Sequence, residues 1–251
     1  MTEIFSENLA QWRAYTDSPW ARIRYATVAD VLRRQCEVLG DRLRVLDVGG
    51  GDGMDALPLA KAGHEVTIVD PSQAWLEEAE RRADDEGARV RTILAGLDDL
   101  PEGEWNLVLC HFVLRYRPAE AADLAALAAR VRAGGRLSVI DVNPAGHVLR
   151  TLLNDGPPAA ATELHADRMA VQTFNTLVRK VDPDRIQTAA AAVGLTAVGR
   201  YGHRLANDLL TDNSAKHDAA FFDELLRLEL ELCDREPFNR IGFAWQLIFA
   251  R

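Results

Sequence analysis

The chain is poor in cysteine. It has three, Cys36, Cys110 and Cys233, far apart and odd in number. That excludes a disulfide framework and gives no zinc-type spacing, so free thiols in a reducing compartment and no bound metal are expected. The opening residues, MTEIFSENLAQWRAY, lack a basic stretch followed by an apolar run, so no secretory leader is expected. No apolar stretch approaches the roughly 20 residues a helix needs to cross a bilayer. Repeats, low-complexity tracts and linkers long enough to separate two domains are missing as well. Together these absences point to a soluble, cytoplasmic protein with no membrane contact. Positive charge is short too: the formal net charge is −9. This weighs against extended nonspecific contact with nucleic acid, which depends on Lys and Arg neutralising phosphates, while leaving room for a local basic patch.

What is present is an alternating rhythm. The 251 residues, 48% hydrophobic and 27% charged, suffice for one domain with a full core. The first 40 residues carry apolar positions at helical spacing, with WARIRYATVADVLRRQCEVLG stopping at Gly40. LRVLDV (43–48) reads as a buried strand entering GGGDG, and a helix is expected from Met54 to Ala62. HEVTIVD (64–70) is the next strand, followed by a helix over 73–85 behind the cap Ser72. Further strands are expected at 89–95, 105–114 and 136–142, the last after a helix over 121–135 that ends at glycines. This alternation implies βαβ units. The expected fold is α/β: a Rossmann-like, mostly parallel sheet with helices on both faces and an α-helical N-terminal segment. After Asn143 the rhythm breaks. Residues 144–182 hold helical pieces, HVLRTLLNDG and ELHADRMAVQTFNTLVRK, and no clear strand. A helix over 186–194, a strand over 195–206, the amphipathic helix AAFFDELLRLELELCD and a final strand FAWQLIFAR follow. The segment after the fifth strand therefore reads as an insertion or lid.

The glycine-rich turn carries the chemistry. Asp47, Gly49, Gly50, Gly51 and Gly53 lie between a buried strand and a helix, where glycines permit a sharp turn and close approach of a ligand to the backbone. Asp70 closes the next strand about twenty residues on, where an acid can accept hydrogen bonds from ribose hydroxyls. A nicotinamide site would read G-x-G-x-x-G facing a pyrophosphate. Here the sixth position is Met54, and Asp47 precedes the first glycine. The added carboxylate suits a cofactor that lacks phosphates and carries a cationic amino acid part. An NAD-dependent oxidoreductase and a noncatalytic Rossmann-like binding protein are the alternatives. Met54 and Asp47 oppose the first, the intact glycines and Asp70 the second.

In these residues the chain resembles the class I S-adenosylmethionine-dependent methyltransferases. VLDVGGGDG is similar to their first motif, VTIVDPS with Pro71 to their second, AGLDDL (95–100) to their adenine loop and LVLCHFVL to their fourth-strand segment. Over most of the chain, including LLRLELELCDREPF near the C-terminus, it resembles the bacterial tRNA 5-carboxymethoxyuridine methyltransferase family. The resemblance implies S-adenosyl-L-methionine as cofactor and, as partner, a methyl acceptor in tRNA or a small molecule. PPAAATELHADRMAVQTFNTL lacks the lysine-rich stretch of that family, which with the overall acidity points toward a small metabolite. The resemblance also implies roles. Arg24 in ARIRYATV would pair with the methionine carboxylate, Arg22 being the alternative alignment. Gly49 and Gly50 would line the amino acid part, with Asp47, Gly51 and Gly53 completing the cofactor loop. Asp70, beside Pro71, would hold the ribose, Gly96 and Leu97 would bracket the adenine, and His111 would sit near the reacting end. Arg204 in GHRLAND matches an arginine in the family's corresponding strand. A single methyltransferase domain over 1–251 is implied: a helical cap (1–40), a cofactor-binding core (41–143), the insertion (144–185) and a C-terminal completion of the sheet (186–251).

Methyl transfer from a sulfonium is an in-line displacement, to which the protein contributes positioning and exclusion of water. A carboxylate acceptor, with a reference pKa of about 4, is already ionised, whereas a phenol or an ammonium wants a base. His111, at the C-terminal end of a parallel strand, is the base candidate, with packing against the cofactor as its other reading. Arg204 is the first candidate to clamp an anionic acceptor, Arg179 and Lys180 the next. The remaining histidines show no ligand spacing, and the stripe Phe221, Phe222, Leu225, Leu228 and Leu232 reads as core. The expected activity is methyl transfer to an oxygen, a carboxylate being the acceptor that needs least machinery.

Overall fold

The structure is a computed structural model that describes residues 9–171 and 176–251. Two helices, α1 (Leu9–Thr16) and α2 (Pro19–Leu39), precede the sheet. Ser18 starts α2 by accepting the Ala21 N–H, and Pro19 sits in the first turn, where its missing N–H costs nothing.

Seven strands form the main sheet: β1 (Arg44–Val48), β2 (Glu65–Asp70), β3 (Val90–Leu94), β4 (Trp105–His111), β5 (Val131–Val142), β8 (Thr196–His203) and β9 (Ala244–Ala250). Their order is β3-β2-β1-β4-β5-β9-β8. β1 pairs in parallel with β2 and β4, β2 with β3 and β4 with β5, while β9 runs antiparallel to both β5 and β8. The order reverses between β1 and β4, the switch point where open α/β sheets leave a crevice for ligands.

Period-two alternation sends each strand's side chains to two cores. On one face Leu46, Val108, Val139, Leu247 and Phe249 pack with Leu124 and Leu127 of α5 (Glu120–Arg130) and Ile186 of α8 (Pro183–Ala192). On the other, Val45, Ile68, Leu107, Leu109 and Ile140 pack with Val28 and Leu32 of α2, Leu59 of α3 (Leu57–Lys61) and Leu76 of α4 (Gln73–Asp85). Helices thus cover both faces. Behind β5 come α6 (Pro144–Asp155) and α7 (Pro157–His165), then a hairpin of β6 (Arg168–Val171) and β7 (Thr176–Arg179). The short α9 (Ala206–Leu209) and the longer α10 (Ala219–Leu232) precede β9. Among the described residues no helix is long and apolar enough to cross a membrane.

The structure departs from the sequence reading in five places. The helix expected from Met54 begins only at Leu57, because residues 50–56 are held in turns, Gly53 N–H to Gly50 O and Ala56 N–H to Gly53 O. The strand expected to reach 114 ends at His111, and α5 ends at Arg130 instead of running to the glycines. Val131 leaves the helix to pair with Trp105 and is fully buried, with the sheet register shifting between Trp105 and Leu107. Burial of a β-branched side chain there outweighs the helix preference of the alanine run. The insertion does contain strands: Met169 and Val178 of the hairpin bury against Val142. Strands of four residues give too short an alternation to be recognised, and residues 172–175, part of the helical piece expected there, lie outside the described residues. In α10, Phe222 and Leu225 are buried as expected, but Leu228 is exposed.

Candidate active site

A cavity of about 690 Å³ opens where β1, β2, β4 and β5 end in Val48, Asp70, His111 and Val142, within the size range of small-molecule sites. One wall is the loop after β1. A Cβ on Gly50 would lie 2.5 Å from Asp47 Oδ2 and 2.9 Å from Ile68 Cγ2, so the backbone hugs the acid as only glycine allows. Gly51, at φ 55, donates its N–H to Asp70 Oδ2 at 3.0 Å, and Ser72 N–H reaches Asp70 Oδ1 at 2.9 Å. Burial raises the Asp70 carboxyl to about 6 against the pull of those two N–H donors. Asp47 is buried and its Oδ2 has no partner. Burial, then Asp55, Asp70 and Asp52, push its carboxyl well above the ordinary range. Asp52 accepts Trp12 Nε1–H at 2.8 Å and lies 3.4 Å from Arg82.

The floor is an ion pair that the sequence reading did not include. Arg24 gives Nη1 to both oxygens of Asp55, at 2.9 and 3.0 Å, with its guanidinium over the Tyr25 ring. His111 Nδ1 is 2.9 Å from Asp55 Oδ2, and its Nε2 is 2.9 Å from Ser138 Oγ. Burial alone would raise the Asp55 carboxyl, but Arg24 and His111 hold it well below the usual carboxylate range, so it is ionised.

Another wall comes from the insertion and from β8–β9. Arg204 and Arg150 both lie on the Phe243 ring, at 4.2 and 5.3 Å from its centre. Arg204 is committed: Asp208 takes its Nε and Nη2 at 2.9 and 3.0 Å, and its Nη1 is 3.4 Å from Tyr15 Oη. Arg150 has no carboxylate partner among the described residues. Burial, with Arg204 nearby, lowers its affinity for its proton, against the attraction of Asp208. Arg115 is buried over Phe112, paired with Asp141 at 2.8 Å, with Nη2 left unpartnered. Phe112 and Arg204, at φ 60 and 57, are two of the three described non-glycine residues with left-handed backbone. Such strain persists where surrounding structure holds a residue in place.

Arg24, Asp47, Gly49, Gly50, Gly51, Asp70, Pro71, Gly96, Leu97, His111 and Arg204 all line this cavity. Gly53 is not among the lining residues; a Cβ there would meet Ile68 Cδ1 at 2.9 Å, so it lets the loop pack on β2. Arg22 lies over Phe222 and is exposed, which leaves Arg24 as the arginine of that segment facing the cavity. Arg179 and Lys180 are used in holding the fold: Arg179 binds Leu114 O, Arg117 O and Glu120, and Lys180 binds Glu163. Arg204 does not stand ready as a lone anion clamp, because Asp208 neutralises it. His111 has both ring nitrogens engaged, which leaves it no free lone pair for a base's work. Arg150, Asp55 and Arg115 were missed. Only the fold brings them here, and in sequence each is an ordinary charge beside apolar neighbours.

S-adenosylmethionine fits this site. It has no phosphates to meet Asp47, Asp52 and Asp70, and its α-ammonium suits the unpartnered Asp47 oxygen. A pyrophosphate would face that same carboxylate cluster, which argues against a nicotinamide dinucleotide. The family described as a methyltransferase domain matches residues 45–135. The tRNA 5-carboxymethoxyuridine methyltransferase of Escherichia coli is 27% identical, covering 85% of this chain and 82% of that one. A ubiquinone biosynthesis O-methyltransferase of Methylocella silvestris is 32% identical over 72% of this chain and 73% of its own length. Magnesium protoporphyrin IX methyltransferase from Synechocystis PCC 6803, solved with bound SAH, superposes with a TM-score of 0.66 over 100% of this chain and 97% of that one, at 19% identity. Sheet order, an acidic glycine turn that suits a phosphate-free cofactor, and relatives matched over most of their length agree, and the chain belongs to the class I S-adenosylmethionine-dependent methyltransferases.

Proposed function

We propose that the protein methylates a carboxylate oxygen, forming a methyl ester. One observation carries the reading: Arg150 faces the cavity beside Arg204, and among the described residues only Arg204 of the two forms an ion pair with a carboxylate. A guanidinium in that position suits bidentate capture of an anion. A carboxylate needs no base to become a nucleophile at neutral pH, which agrees with both nitrogens of His111 being engaged.

When bound, S-adenosylmethionine supplies a methyl group on a sulfonium whose charge disperses as the new C–O bond forms. The chain's own residues hold the partners. Arg24 would bind the methionine carboxylate through donors that Asp55 leaves, and Asp47 Oδ2 would accept from the ammonium. Asp70, next to Pro71, would accept from the ribose hydroxyls, with Gly96 and Leu97 flanking the adenine. Gly49, Gly50 and Gly51 let the cofactor approach the backbone. Trp12, Tyr15, Trp20 and Phe243 would keep water from the transfer. The name of the Escherichia coli relative supports a carboxylate on the wobble uridine of tRNA as acceptor. The net charge of −9 supports a free small carboxylate in the same clamp.

The test is labelled methyl transfer from S-adenosylmethionine to bulk tRNA and, separately, to the small-molecule fraction of a cell extract. Mild alkali should release the label as volatile methanol, as an ester does. Label retained through that treatment would rule out an ester, and the fraction that becomes labelled identifies the acceptor class.

A further inference from the structure

A row of polar side chains crosses the sheet on the face that α2 covers. His111 on β4, Ser138 on β5, Gln246 on β9 and His203 on β8 occupy four adjacent strands, and Ser138, Gln246 and His203 are fully buried. Each is joined to the next at 2.9 Å: His111 Nε2 to Ser138 Oγ, Ser138 Oγ to Gln246 Nε2, and Gln246 Oε1 to His203 Nε2. His203 Nδ1 then meets Thr27 Oγ1 of α2, also at 2.9 Å. Thr27 lies one helical turn beyond Arg24, which binds Asp55, and Asp55 binds His111. The row therefore runs from the floor of the cavity, at Asp55 and His111, to α2, the helix that carries Arg24.

The proton positions follow from counting donors. Asp55 is ionised and can only accept, so His111 donates from Nδ1. If His111 is neutral, its Nε2 must accept, and the single Ser138 proton goes there. Ser138 then accepts from the Gln246 amide nitrogen, and Gln246 Oε1 accepts from His203 Nε2–H. His203 Nδ1 is left to accept from Thr27. Every donor in this arrangement points toward Asp55. The Thr27 hydroxyl is also 3.0 Å from Arg24 O. If its proton went there, the relay would reverse: the Gln246 amide would turn over and His111 would carry protons on both nitrogens. Two buried cations, His111 and Arg24, would then share one carboxylate, which is costly where water cannot help.

Buried polar groups are expensive, and an apolar row would pack as well at less risk. We propose that Thr27, His203, Gln246 and Ser138 are positioning residues that hold His111 as the neutral Nδ1–H imidazole and, through Asp55, fix the Arg24 guanidinium toward the cofactor. The cofactor half of this statement rests on the proposed role of Arg24; the proton arrangement does not.

The experiment separates the two. In ¹⁵N-histidine-labelled full-length protein, His111, assigned with His111→Asn, should show the Nδ1–H neutral pattern. Thr27→Val, which keeps the volume and removes the hydroxyl, should move the His111 nitrogen signals. It should also weaken S-adenosylmethionine binding roughly threefold to tenfold, the equivalent of one hydrogen bond. Thr27→Ser should restore both. Ser138→Ala serves as a second interruption if Thr27→Val fails to fold. A doubly protonated or Nε2–H His111 in the parent protein, or nitrogen signals indifferent to both interruptions, overturns the relay. Signals that move while cofactor affinity stays constant overturn the positioning claim and place the failure in the role given to Arg24.

Discussion

Asp70 already accepts two backbone N–H bonds, yet its carboxyl sits up at about 6 because it is buried, with a smaller push from Asp52. Ribose hydroxyls donate best to its ionised form. Cofactor affinity is therefore expected to rise as pH goes from 5 to 7 and then level off. Calorimetry across that range should show the rise in the parent protein and a flat profile in Asp70→Asn. Asp70→Ala should weaken binding by roughly 1–3 kcal/mol, the cost of lost charge-assisted hydrogen bonds; affinity equal to the parent's would remove Asp70 from the ribose. Arg150→Gln should raise the acceptor KM about tenfold or more while leaving the cofactor dissociation constant alone, since a charge-assisted pair contributes roughly 1.5–3 kcal/mol. An unchanged acceptor KM would dismiss the clamp. Arg204→Gln is a poorer probe, because it strands the Asp208 carboxylate it now pairs with.

At the scale of elements, α6 decides whether the acceptor wall exists. Asn143 caps it by accepting the Ala145 N–H and gives its own amide to Arg240 O. Gly146 then lets the first turn press against the chain leading into β9, where a Cβ would run into the carbonyl oxygen of Gly242. This contact seats the helix that carries His147 and Arg150 to the cavity. Gly146→Ala should force α6 outward, lower stability by about 1–3 kcal/mol as overpacking does, and raise the acceptor KM with little effect on cofactor binding. Urea unfolding and steady-state kinetics would show both; an alanine variant as stable and as active as the parent would show that α6 is seated otherwise. α6 was legible as a helix from HVLRTLLNDG, but its docking was not, since nothing local in that segment says what Gly146 touches. The hairpin was not legible for a related reason. Its strands are defined by their pairing and by burial of Met169 and Val178 under Val142.

For the whole molecule, the pH dependence of stability has a specific source in His203. Burial holds its folded pKa at about 3, below the ordinary 6.5. The unfolded chain therefore binds more protons between those values, and the stability His203 contributes is complete above 6.5 and lost as pH falls toward 3. Asp47, Asp52, Asp70 and Asp141 are shifted up by burial and act the other way, since a protonated acid is preferred in the fold. The quantity to measure is thus a difference. From pH 7 to 5 the parent should lose about 2 kcal/mol more than His203→Asn, by the conversion of roughly 1.4 kcal/mol per pH unit. Parallel stability curves would mean that His203 is not held neutral.

The sequence alone determined the fold class and the cofactor, because both are written in local terms. Strand–helix periodicity needs only neighbouring residues, and the turn from Asp47 to Gly53 needs only its own glycines and acid, with Asp70 at the end of the next strand. The tertiary structure decided which charges remain available. Asp208 engages Arg204, Asp55 and Ser138 engage both nitrogens of His111, and Arg150 forms no ion pair among the described residues. Such pairings join residues four to fifty-six positions apart. Periodicity and motif spacing report what a segment can become, whereas the charge left facing a cavity depends on every element that closes around it.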